Sequence, residues 1–279
     1  MILKERGEPV KKISRITTQK KNTHRYNIFL AKGDSDAYAF SVDEAVLIEF
    51  HLRKGLELNE KTIEAITQRD NLYKAYTQSI HYLSYRMRSR KEVYDYLAKK
   101  EIQHDYIEEI LIRLTKEKLL NDQEFAEMFL RTRINTSTKG PNIIRNELKE
   151  KGITFAIIDK VIEGFTYEMQ YEKLKKLMTK KMNQASKHSF RKKLQQLQMS
   201  MVQKGYAQDV IKEVAATFSE AKDENKEWEA LVYQGEKLYR RHGDKLEGYE
   251  LRNKLTQGLQ QRGFSFDLIK QYVSEKMEG

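Results

Sequence analysis

The chain has 279 residues and a mass of 33.1 kDa, with 52 Lys and Arg against 41 Asp and Glu, for a formal charge of +11. Two prolines and 13 glycines are too few for a loop-rich β-sandwich or barrel and point to long helices. With no cysteine, disulfides, thiolate zinc sites, iron–sulfur clusters and cysteine nucleophiles are excluded. No apolar run approaches the roughly 18 residues of a membrane span. The first twelve residues lack the apolar core of a signal peptide, so a soluble, cytoplasmic chain is expected.

From the N-terminus, Ile13–Ile16, Tyr26–Leu30 and Tyr38–Phe40 are short and β-prone, separated by turn-like stretches at 20–23 and 33–36. That spacing predicts a small antiparallel meander. Ser41 to Glu44 has the pattern of a capping box before Ala45, Val46 and Leu47, which predicts a helix ended by Arg53, Lys54 and Gly55. Asn59 and Glu60 open another helix. Residues 1–70 are thus expected to be a small α+β extension.

The rest of the chain repeats. Lys100-Glu101-Ile102, Lys151-Gly152-Ile153, Lys204-Gly205-Tyr206 and Arg262-Gly263-Phe264 each join a cation, a turn residue and an apolar residue. Four positions before the turn residue lie Leu97, Leu148, Met201 and Leu259, and eight before it Val93, Ile144, Leu197 and Leu255. Six positions after it lie Ile107, Ile158, Ile211 and Ile269, and nine after it Ile110, Val161, Val214 and Tyr272. The −8 and −4 positions share one stripe of a helix that the turn residue closes. Glycine suits that place because it takes the left-handed conformation that residues with a Cβ resist. A second helix follows, with Asp105, Asp209 or Asp267 near its start, where a carboxylate suits the helix dipole. A further amphipathic segment precedes each pair, at 75–83, 125–133, 174–181 and 231–239. Each unit therefore reads as three helices of about 10–15 residues, too small to bury much core without a neighbour. The predicted fold is mainly α: tandem three-helix repeats at 71–122, 123–168, 169–226 and 227–279, in an elongated, curved array.

Residues 169–226 carry 13 basic and 6 acidic groups, or +7 of the total +11. Such a block is either solvated helix surface or a footprint for a polyanion. A search for chemistry returns little else. No G-x-x-x-x-G-K-[ST] loop occurs, and the six histidines show neither H-x-x-x-H nor H-E-x-x-H spacing. No nucleophile stands beside a base, so neither an enzyme nor a cofactor is expected. Basic clusters remain: Arg86, Arg88, Arg90 and Lys91 between the first and second helices of the first repeat, and Arg131, Arg133 and Lys139 at the equivalent place in the second, with Arg145 beyond. Arg191, Lys192 and Lys193 stand there in the third repeat, beyond Lys175 and Lys176, and Arg240, Arg241 and Arg252 in the fourth. Their recurrence predicts a cationic ridge of inter-helix loops.

The stretch from Tyr82 to Leu97, with Arg86 and Arg90, resembles the opening motif of the RecX family of recombination regulators. Leu119 to Asp122 with Phe125, Ala126 and Arg131–Arg133 resembles its next block. Lys139-Gly140-Pro141, Ile144, Glu147, Leu148 and Lys151-Gly152-Ile153 match its most distinctive motif. The extension at 1–70 is similar to that of longer members from low-GC Gram-positive bacteria. The resemblance implies a non-enzymatic, monomeric regulator of recombination and DNA repair that binds the RecA recombinase. It implies docking in the groove of the RecA–ssDNA filament, restraining ATP hydrolysis and strand exchange. Direct DNA binding by the basic ridge is the competing reading, and no membrane partner is expected.

Overall fold

The computed structural model describes residues 10–218 and 223–278. Strands β1 (Lys11–Thr18), β2 (Arg25–Lys32) and β3 (Ser35–Asp43) form the expected antiparallel meander. A two-residue strand, β4 (Glu57–Leu58), pairs with the outer edge of β1, giving the order β3-β2-β1-β4. Alternation puts Ile28 and Leu30 of β2 and Phe40 and Val42 of β3 on one face, where they bury with Ile13, Val46, Leu52, Leu58 and Ile66. The short helix α1 (Glu44–Glu49) starts where expected, but its cap is Asp43, whose carboxylate accepts the Ala45 N–H at 3.1 Å. Ser41 is instead part of β3 and accepts a hydrogen bond from Arg25. The helix ends at Phe50, before the Arg53–Gly55 stretch, and Gly55 (φ +90°) turns the chain towards β4.

Asn59 caps α2 (Glu60–Ser84) by accepting the Thr62 N–H at 2.8 Å. This 25-residue helix continues without a break through residue 70, so extension and first repeat share one rod. What fastens the sheet to it is Asp70, only 2% exposed, which receives Arg25 at 2.9 Å, Lys74 at 2.8 Å and the Asp43 N–H at 2.8 Å. Burial alone would raise this carboxyl, but those three donors outweigh it and hold it below its ordinary value.

Helices α3 (Arg90–Ala98) and α4 (His104–Lys116) complete the first repeat with α2. The second comprises α5 (Asp122–Thr136), α6 (Pro141–Glu150) and α7 (Phe155–Ile162), the third α8 (Tyr167–Met182), α9 (Phe190–Gln203) and α10 (Gln208–Ala216). The fourth comprises α11 (Glu224–His242), α12 (Gly248–Gln260) and α13 (Phe266–Glu278). Fifteen of the sixteen aligned apolar residues are buried, and Leu197 is half-buried. Gly152, Gly205 and Gly263 close their middle helices with φ of +78°, +86° and +85°, and Glu101 takes the same turn at +60° despite its Cβ. The chain divides into two compact units, the first ending at Phe125 and the second starting at Ala126.

Within the second unit the turns at Gly205 and Gly263 do a further job. The Gly140 N–H donates to the Lys204 carbonyl at 2.7 Å and the Asn142 N–H to the Gly205 carbonyl at 3.1 Å, seating the start of α6 on the turn after α9. One repeat on, the Ser189 hydroxyl donates to the Arg262 carbonyl at 2.6 Å while accepting the Lys192 N–H, so α9 sits on the turn after α12. A Cβ on Gly205 would lie 2.7 Å from the Ile143 nitrogen, and one on Gly140 would lie 2.6 Å from the Gly205 carbonyl carbon. Backbone meets backbone there, with no room for a side chain.

Replacing Gly205 with Ala should therefore cost about 2–4 kcal/mol, from left-handed strain and forced separation together. Ala at the exposed Glu101, with a φ of the same sign, should change stability by less than about 1 kcal/mol. Urea denaturation of the two variants checks this, and equal losses would refute the docking role. The Asp70 network has its own signature. A carboxyl held low stabilises the fold above its unfolded pKa of about 3.9 and ceases to do so as pH falls through its folded value. Asp70→Asn should thus cost about 3 kcal/mol near neutral pH, and the gap from the parent should narrow below about pH 4. A gap that does not vary with pH would show that packing, not charge, is lost.

Candidate basic interface

The structure sorts the sixteen candidate cations by what each already holds. In the first repeat, Arg86 and Arg88 occupy the loop after α2, and Arg90 and Lys91 begin α3. Arg86 grips Glu92 through both terminal nitrogens at 3.0 and 3.2 Å, and its guanidinium is held above its ordinary value by that bond. Arg88 donates to the Tyr82 carbonyl at 3.2 Å and its guanidinium carbon lies over the Tyr82 ring, 3.7 Å from the ring centre. Tyr82 stacks in turn on Tyr96 at 4.0 Å. Arg90 pairs with Glu108 at 2.5 Å, and Lys91 with Asp95 at 3.3 Å.

The second repeat is similarly self-neutralised, and its cations are not all in a loop. Helix α5 continues to Thr136, so Arg131 and Arg133 are helical, because no Gly or Pro interrupts it before Gly140 and Pro141. Arg133 pairs with Glu147 at 2.9 Å, and Lys139 pairs with the same carboxylate. Arg145 of α6 pairs with Asp159 of α7. Arg131 lines a hollow with Leu130, Ile134 and Met169.

Repeats three and four differ. Lys175 and Lys176 lie in the middle of α8, not in a loop, and both are exposed. Lys175 reaches over the Tyr171 ring at 5.7 Å, and Lys176 has no ion pair among the described residues. Arg191 and Lys192, in the first turn of α9, are exposed and likewise unpaired. Lys193 is a correction to the loop ridge: its ammonium donates to the Met182 carbonyl at 2.7 Å and to that of Gln184, closing the end of α8. Burial lowers its pKa, with the neighbouring Lys226 adding to the effect. Arg240 and Arg241 end α11, exposed and in no ion pair among the described residues, although Arg240 stands near enough to Glu236 to help hold that carboxyl below its ordinary value. Arg252 sits in α12, 3.5 Å from the Ser274 hydroxyl. The loop ridge therefore does not form as expected. Free charge gathers instead on first helices of the last two repeats, where Lys180, Lys181 and Lys237 extend it. Those three were missed although Lys176 and Lys180, four residues apart on a polar face, carry the signal. No helix among the described residues is long and apolar enough to cross a membrane, and no three His, Cys, Asp or Glu among them converge as metal ligands.

Four family models cover nearly the whole described chain. The RecX N-terminal domain matches residues 11–59, and the first and second RecX three-helix domains match 75–114 and 121–162. The third three-helix domain matches twice, at 168–215 and 225–273. The chain belongs to the RecX family. The double match makes the fourth RecX repeat a second copy of the third, as the shared Gly205 and Gly263 turns indicate. A protein of Oceanobacillus iheyensis named regulatory protein RecX is 49% identical over 96% of this chain and 99% of its own length. One of the same name from Halalkalibacterium halodurans is 41% identical over 94% and 99%. A crystal structure of regulatory protein RecX superposes with a TM-score of 0.66 at 40% identity, covering 73% of this chain and 98% of that one. That of RecX from Lactobacillus salivarius gives 0.52 at 38% identity over 53% and 97%.

The pairing predicts how charge can be released. Glu147→Ala should lower stability by about 1 kcal/mol. It should also move elution from a polyanionic resin to higher salt, because Arg133 and Lys139 become free to contact it. Unchanged elution would show that Glu147 does not hold these cations from a polyanion.

Proposed function

We propose that this chain is a non-enzymatic regulator of the RecA recombinase, acting in the cytoplasm as a monomer that binds the RecA nucleoprotein filament and restrains ATP hydrolysis and strand exchange. Membership of a family whose relatives are named regulatory proteins, extending over almost their full length, carries this reading. The architecture supports it physically. Four repeats of one three-helix design follow one another along the chain, and a filament presents similar surfaces in succession. Linked weak contacts raise the effective concentration of each next contact, so moderate individual affinities give firm attachment. Exposed Tyr85 and Met87 flank Arg86 in the first repeat, a combination of residue types enriched where proteins meet. A second reading, direct contact with DNA, is favoured by the unpaired cations of the last two repeats.

ATP hydrolysis by RecA on single-stranded DNA, titrated with the full chain, tests the proposal. Inhibition should saturate with occupancy of the filament and should not deepen with time at fixed occupancy, since no turnover is involved. Full hydrolysis at concentrations where the filament is coated would overturn it, as would failure to bind the filament.

A further inference from the structure

The cations of this chain fall into two chemical groups that differ in place and in kind. In the first two repeats they are mostly arginines already holding carboxylates: Arg86 with Glu92, Arg90 with Glu108, Arg133 with Glu147, Arg145 with Asp159. In the last two they are mostly lysines on exposed helix faces. Lys175, Lys176, Lys180 and Lys181 line α8, and Lys237 stands with Arg240 and Arg241 on α11. The two helices are counterparts: Leu174 and Leu231 hold the same buried place, so Lys180 of one repeat corresponds to Lys237 of the next. Buried Leu174 and Met178 face the rest of repeat three, and buried Leu231, Gln234 and Leu238 face the rest of repeat four, leaving the cationic faces to solvent. The exposed acids of α8 are Glu168 and Glu172 and those of α11 are Glu224 and Glu229, while Glu236 is occupied by Lys276 at 2.9 Å and by the Tyr272 hydroxyl at 3.0 Å.

We propose that the solvent faces of α8 and α11, with Arg191 and Lys192 at the start of α9, form a sequence-independent contact surface for the phosphate backbone of a nucleic acid. Lysine is a compact, freely swinging point charge, suited to phosphates met without fixed register, whereas the arginine fork holds carboxylates and phosphates alike in a fixed two-pronged geometry. This chain uses that fork on its own carboxylates. Side chains at i and i+4 recur about one helical turn apart, so each face offers a row of charges to a regularly charged strand. Tyr233, 43% exposed among Lys237, Arg240 and Arg241, adds a ring on which a base can stack. Lys187 steadies that ring, lying over it at 4.4 Å and donating to its hydroxyl at 3.2 Å. The surface deepens the regulatory reading by giving the chain its own hold on nucleic acid, yet its test needs no RecA, so the two proposals fail separately.

Binding of the full chain to a fluorescent thymidine oligonucleotide and to a duplex is measured by anisotropy over a potassium chloride series. Lys176→Gln, Lys180→Gln, Lys237→Gln and Arg241→Gln are combined in one variant, and Lys91→Gln with Arg145→Gln in a control. The fourfold variant should bind the oligonucleotide at least about tenfold more weakly, and its salt slope should fall by about 0.7 per lost contact. The control should match the parent. Lys176→Arg with Lys180→Arg and Lys237→Arg keeps the charge and should keep the slope. Should the fourfold variant lose its helical circular dichroism, the single substitutions decide, each lowering the slope by about 0.7. An unchanged slope in folded variants would overturn the proposal. So would a parent that binds polyglutamate as tightly and with as steep a slope as the oligonucleotide, which would assign the face to acidic protein.

Discussion

The seating of one repeat's middle helix on the next repeat's glycine turn governs both the spacing of the repeats and the use of their charges. At the start of a helix the first N–H groups lack partners within it. In the second unit those of α6 are met by the carbonyls of Lys204 and Gly205, and the hydroxyl that caps α9 is tied to the carbonyl of Arg262. Carboxylates from the first helix of the following repeat complete the arrangement at α3 and α9. The Arg90 N–H donates to Asp122 at 2.7 Å, and the Phe190 N–H to Glu227, also at 2.7 Å. The second repeat begins its middle helix with Pro141, which has no N–H to satisfy. There the residue that matches Glu227, with Leu174 set against Leu231, is Gln170, whose amide donates to the Phe165 carbonyl at 2.7 Å. Acid accompanies an N–H, and its absence accompanies proline. Burial pushes the Asp122 carboxyl up although the Arg90 N–H works against it, the electrostatic cost of a carboxylate placed in such a joint.

This use of the helix starts explains why the inter-helix loops are poor places for a free cationic ridge. A residue near a joint meets backbone dipoles and carboxylates recruited to satisfy them, which neutralise several of these charges, although Arg191 and Lys192 at the start of α9 stay unpaired among the described residues. Arg90 begins α3 and ends on Glu108, and Lys193 near the start of α9 ends on the carbonyls that close α8. The outer faces of the first helices take no part in a joint, and in the last two repeats it is there that lysines stand without carboxylates. Packing thus decides which charges remain available.

The repeat itself was legible because burial acts on it at fixed spacing: Val93, Leu97, Ile107 and Ile110 recur in kind through the chain, and each copy folds alike. The glycine turns were legible because only a left-handed residue closes those helices, yet their second role was not. Close approach of Gly140 to Gly205 joins residues far apart in sequence, and local pattern carries no trace of it. The N-terminal meander followed from β-branched and aromatic alternation. The two-residue strand β4 did not, since two residues show no period, and Asp43 displaced Ser41 as the cap because the strand pairing of Ser41 with Asn27 carries β3 past it. The charge of repeat three was legible as a sum, while its partition was not. Whether a lysine is free depends on which carbonyl or carboxylate the fold brings to it, as Lys176 and Lys193 show.

The turn of the first repeat and the start of α12 in the fourth show the same constraint in reverse. Gly205 is buried because a neighbouring helix presses on it, and a side chain there would strike the Ile143 nitrogen. Glu101, at the same point of the first repeat, is exposed and tolerates a Cβ in a left-handed turn. A non-glycine residue in that conformation costs roughly 1–2 kcal/mol, a strain that remains only where nothing selects against it. The Cβ also bars another helix start from approaching as α6 approaches Gly205. In the fourth repeat the start of α12 is open instead: Gly248 meets nothing within 4 Å among the described residues and Tyr249 is 78% exposed. The glycine of a turn is thus demanded by the helix start that presses on it, and where none presses, a Cβ is tolerated.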